Sequence, residues 1–139
     1  MVLGIILGTG MIVTHTGPGL AADTTSTPRS RNAIRQNDLN TLAQALTQYK
    51  ADHNGTLPVK LPATDTPICS STDADCTSKH YADLSFLFTG GDYLDAIPTE
   101  PGPAVGLWNS GFTISQLPNG TIRLTAPHAE AGATIAVVR

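Results

Sequence analysis

Residues 29–58, RSRNAIRQNDLNTLAQALTQYKADHNGTLP, constrain this chain more than any other stretch. Leu39, Leu42, Leu46 and Tyr49 recur at spacings of three and four, with Ala43 beside them. That is the period of a single apolar stripe on an α-helix. The opposite face carries Asn37, Asn40, Thr41, Gln44, Thr47 and Gln48. Both ends are punctuated. Thr27 is a good cap, and Pro28 fits the first helical position, where its missing N–H removes no bond. Asn54-Gly55 tolerates the left-handed conformation that ends helices, and Pro58 follows. The pattern predicts a helix over 28–53, about 39 Å long. So narrow a stripe suits a helix lying across one sheet.

The C-terminal part of the chain supplies candidates for that sheet. Phe112 and Ile114 alternate with Thr113 and Ser115, and Ile122 and Leu124 alternate with Thr121, Arg123 and Thr125. Pro118-Asn119-Gly120 between them is a strong turn signal. Ala133–Val138 reads as a last strand, with Ile135 and Val137 on one face. Ahead of these strands, 59–78 reads as a loop, 79–89 as a short helix with Leu84, Leu87 and Phe88 on one side, and 92–103 as irregular extended chain. With 139 residues there is room for one domain. The expected fold class is α+β: a long N-terminal helical stem packed on a small antiparallel β-sheet head. Residues 28–139 form the head with its helix, and the strands fall within 111–138.

Residues 1–27 are expected to be different in kind. Met1–Val13, MVLGIILGTGMIV, is apolar and uncharged. It is shorter than the roughly 20 residues that span a bilayer as a helix. Pro18 with Gly17 and Gly19 predicts an unwound stretch near 14–19. The run fits a secretory signal with Leu20-Ala21-Ala22 near its cleavage site, a filament and membrane anchor whose leader has been removed, or a truncated longer span. All three place the remainder outside the cytoplasm.

Charge is sparse and unevenly placed. Charged residues make up 14% of the chain and the net charge is -3, which gives no basis for nucleic-acid binding. Arg29, Arg31 and Arg35 cluster at the start of the helix, whereas the chain from Pro62 onward is mainly acidic. Cations in a helix's first turns oppose its dipole. An external partner, the acidic head of another copy, is therefore the candidate for inter-subunit charge at Arg29, Arg31 and Arg35. Cys69 and Cys76 are the only cysteines, and in an exported protein two so close are expected to pair. Two thiols without a further Cys or His pair make a poor zinc site. Asp65, Asp73 and Asp75 offer oxygens to calcium, but the run lacks the glycine and terminal acid of an EF-hand loop. No other cofactor is expected. There is no G-x-S-x-G, H-E-x-x-H or phosphate-binding loop, and His15, His53, His80 and His128 are scattered, so catalysis is not expected.

The chain resembles the type IV pilin family, most closely the pilin-like subunits of type II secretion systems. RNAIRQNDLNTLAQALTQY, Arg31–Tyr49, is similar to the family's amphipathic stem. DHNGTLP, Asp52–Pro58, is similar to its stem exit, and YLDAIPTEP, Tyr93–Pro101, to the segment before its sheet. The resemblance covers about residues 28–126. Ile5 stands near where the family usually carries an acid, and no acid precedes Asp23. The resemblance implies a structural subunit of an extracellular filament, made of copies of itself and built by pilus or secretion machinery in the membrane. Val2, Leu3, Ile5, Ile6, Leu7, Met11, Ile12 and Val13 would form the filament core, and Gly4, Gly8 and Gly10 would let neighbouring helices approach. A type II secretion pseudopilin, a minor tip pilin and a secreted binding module released near Ala22 are the alternatives.

Overall fold

The computed structural model describes residues 27–72, 74–102, 106 and 108–139. The expectations for residues 1–26, including the unwound stretch near 14–19, lie outside the described residues.

Helix α1 runs Pro28–Asp52, 25 residues. Thr27 caps it by accepting from the Ser30 N–H at 3.2 Å. At the other end Asn54 and Gly55 both have positive φ, and the Gly55 N–H returns to the Lys50 carbonyl at 2.6 Å. This reversal closes orphan carbonyls that a helix end otherwise leaves open. Leu39, Leu42 and Leu46 are fully or almost fully buried and Tyr49 is half-buried, so the stripe faces inward along its whole length.

Four strands form one antiparallel sheet in the order β1-β2-β3-β4: Thr66–Cys69, Asn109–Gln116, Ile122–Thr125 and Ala136–Val138. The β2–β3 turn is closed by Leu117 N–H to Thr121 O and Gly120 N–H to Leu117 O, both 2.8 Å. Inward positions alternate as period two requires: Phe112 and Ile114 on β2, Ile122 and Leu124 on β3, Val137 on β4. These side chains meet Leu39, Leu42 and Leu46 of α1, together with Ile68, Leu84 and Leu87, in one core. The fold is therefore a helix packed on a small antiparallel sheet.

Three local expectations are corrected. The stretch 59–78 is not wholly loop. It holds β1 and a short helix α2, Ala74–Ser78. Pro67 sits within β1, which is tolerated because β1 is an edge strand of the sheet. The helix over 79–89 reduces to a single 3-10 turn, Ser85–Leu87. Its first half is drawn out instead: the Ala82 N–H binds the Pro67 carbonyl, the Cys69 N–H binds the Ala82 carbonyl, and His80 has positive φ. The last strand begins at Ala136, because Ala133 closes a turn onto the Glu130 carbonyl.

Strand β2 is irregular where it matters most. Between the pairs Pro67↔Thr113 and Cys69↔Asn109, β2 uses more residues than β1, so it bulges around Gly111. Gly111 has φ +88°, and a Cβ there would overlap the Glu100 side chain. The bulge thus makes the space in which Glu100 is buried.

Candidate functional site

The densest polar constellation lies at the start of α1. Arg31 and Arg35 are four residues apart and so share a helix face. Arg35 also lies four residues before Leu39, in line with the apolar stripe, and its side chain is only 3% exposed. Its Nε donates to Glu100 Oε1 at 2.5 Å, and Nη1 donates to Glu130 Oε2 at 2.8 Å and Asn32 Oδ1 at 2.8 Å. Nη2 reaches the Pro101 carbonyl at 3.2 Å. Arg31 grips Glu130 with two nitrogens, Nε to Oε2 at 2.7 Å and Nη2 to Oε1. Asn32 completes the attachment: its Nδ2 donates to the Glu130 carbonyl at 2.9 Å, and its Oδ1 accepts the Glu130 N–H at 3.0 Å.

The electrostatics follow from these bonds. Hydrogen bonds from Arg31 and then Arg35 hold the Glu130 carboxyl at about 2, against an ordinary 4.5. The same contact raises the Arg31 guanidinium. Glu100 is as buried as Arg35, and one of its oxygens, Oε2, makes no hydrogen bond among the described residues. His128 Nδ1 stands 3.4 Å from that oxygen. The cluster fixes three separate pieces of chain to one another: the first turns of α1, the segment entering β2, and the β3–β4 connection.

The partner expected outside the chain for Arg31 and Arg35 is thus found within it, at Glu130 and Glu100. Arg29 is exposed. Sequence reading missed the cluster, although one signal was present: the spacing Arg35-Leu39-Leu42-Leu46 places an arginine in the buried stripe.

The other singled-out residues fall elsewhere. Cys69 and Cys76 form a disulfide with Cα atoms 5.8 Å apart, both cysteines being buried. Of the aspartates considered for calcium, Asp65 accepts from Ser115 Oγ at 2.6 Å and from Arg123 Nη2 at 2.9 Å, and these contacts, Ser115 foremost, hold its carboxyl below the usual range. Asp75 is exposed in the first turn of α2, and Asp73 lies outside the described residues. Among the described residues no group of three or more His, Cys, Asp and Glu is arranged to hold a metal. No protein-family model, curated protein or solved structure matches the chain. No helix among the described residues is long and apolar enough to cross a membrane. The core-forming candidates Val2, Leu3, Ile5, Ile6, Leu7, Met11, Ile12 and Val13 are outside the described residues.

The far end of α1 is aromatic. Tyr49 stacks on His53 with ring centroids 3.9 Å apart and meets Phe86 edge-on at 4.7 Å. Tyr93 packs on Tyr49 at 5.2 Å and donates its hydroxyl to Asp52 Oδ2 at 3.1 Å. Burial, then the Asp52 carboxylate, raises the Tyr93 phenol. The helix is therefore fastened to the head at both ends, by ion pairs at its start and by rings at its finish.

Proposed function

We propose that the chain is a structural subunit of an extracellular type IV pilus-like filament, nearest in kind to the pseudopilins of type II secretion. The observation that carries this reading is the fixing of a 25-residue helix to a small sheet head, in a chain whose uncharged apolar run, residues 1–13, precedes that helix in sequence. A helix held at both ends is a stiff arm on which that run can be presented to neighbouring copies. Burial of Val2, Leu3, Ile5, Ile6, Leu7, Met11, Ile12 and Val13 against those copies would drive assembly, at about 25 cal/mol per Å² of apolar area. Contacts of head-to-tail type extend as an open helical array rather than closing into a ring. Before assembly the same run would hold the subunit in the membrane, where the assembly machinery acts.

Electron microscopy of filaments sheared from the native cells, with mass spectrometry of the subunit's N-terminus, tests this. Filaments whose subunit retains the apolar run 1–13 are expected. A soluble protein starting near Asp23, with no filaments, would sink the proposal and favour a secreted binding module released near Ala22.

A further inference from the structure

A cleft of about 260 Å³ opens between α1 and β3. Ala43, Leu46, Thr47 and Lys50 line it from the helix, Ile122 and Leu124 from the strand, and Arg139 from beyond β4. Its apolar character follows from the two periodicities, since Ala43, Leu46, Ile122 and Leu124 are inward positions of each element. A second compartment of about 130 Å³ adjoins it, sharing Lys50 and Ile122, and is polar. Lys60 and Gln116 line this second space.

The charge around the two compartments is one-sided. No Asp or Glu lines either of them. Arg31, Arg35 and Arg123 each have a carboxylate partner, whereas Lys50, Lys60 and Arg139 have no ion pair among the described residues. The protein as a whole is acidic, with net charge -3, so this local excess of cations is not a property of the average surface. An apolar slot that opens onto two unneutralised ammonium groups is complementary to an acyl tail carrying one anionic head.

We propose that this cleft binds a single-chain acyl carboxylate, with its tail between α1 and β3 and its carboxylate at Lys50 and Lys60. The volume suits one chain, not the two of a phospholipid. The charge discriminates against another apolar occupant, the chain's own residues 1–13, whose sequence contains no acid to meet the lysines. The site lies on α1 and β3 and is independent of the filament reading.

The test is a titration of the full chain, labelled at its Leu, Ile and Ala methyl groups, with sodium decanoate below its micellar concentration at pH 7.5. Saturable, one-to-one shift changes at Leu46, Ile122 and Leu124 are expected. The double variant Lys50→Glu/Lys60→Glu should weaken binding by about tenfold or more, and 1-decanol should bind correspondingly less well. Thr47→Trp, at the exposed lip of the cleft, should abolish the shifts while the spectrum of the remaining core is retained. The proposal is overturned if decanoate produces no saturable change, or if its affinity is indifferent to the two lysines. It is equally overturned if the cleft methyls respond to phosphatidylcholine vesicles but not to decanoate, or if they show contacts to residues 1–13 and ignore the ligand.

Discussion

Arg35 and Glu100 are buried together, each 3% exposed at its side chain, and each is the other's main compensation for leaving water. Removing one partner of such a pair strands the other, which typically costs about 3–5 kcal/mol. Arg35→Met is therefore expected to lower stability by about that amount in chemical denaturation. Combining it with Glu100→Leu should restore most of the loss, because two apolar groups of similar volume leave no stranded charge. Glu130 acts through pH. Its carboxyl in the folded chain sits at about 2 rather than the ordinary 4.5, so the unfolded chain takes up the proton first on acidification. The stabilisation from Glu130 is complete above pH 4.5 and is lost as pH falls from there to about 2. In urea titrations across this window, Glu130→Gln should show a shallower decline than the parent chain. An identical slope in the two proteins would show that Glu130 is not the group responsible.

At the scale of elements, α1 is held chiefly by its stripe. Leu42 is fully buried against the sheet, and Leu42→Ala should cost about 2–5 kcal/mol, read as a lowered denaturation midpoint. The β1–α2 corner depends on a covalent tie. Replacing Cys69 and Cys76 by Ser should lower stability by about 2–3 kcal/mol, with thermal unfolding of the double variant matching that of the reduced parent. These two elements also mark how far the sequence could be read. The helix was legible because its period, its cap at Thr27 and its stop at Asn54-Gly55 are all local, and so was the β2–β3 turn. Strand β1 was not, because Pro62 and Pro67 look locally like extended loop and only pairing with the distant β2 makes the segment a strand. The helix expected over 79–89 failed for the same reason in reverse. The spacing of Leu84, Leu87 and Phe88 is helical, but tertiary hydrogen bonds to Pro67 and Cys69 claim the backbone at Ala82. The ion-pair cluster was half legible: its arginines were visible as a group, while their acids lie 65 to 99 positions away in sequence.

For the whole molecule, the attachment of α1 at its start fixes how tension would enter. A pull from the preceding chain arrives at Thr27, and the first side chains it loads are Arg31, Asn32 and Arg35. These grip the β3–β4 connection and the entry to β2 through short, directional bonds. Tension entering at Thr27 meets these bonds before it meets the packing of Leu39, Leu42 and Leu46, which lies further along the helix. A chain so arranged resists having the start of α1 drawn away from its head.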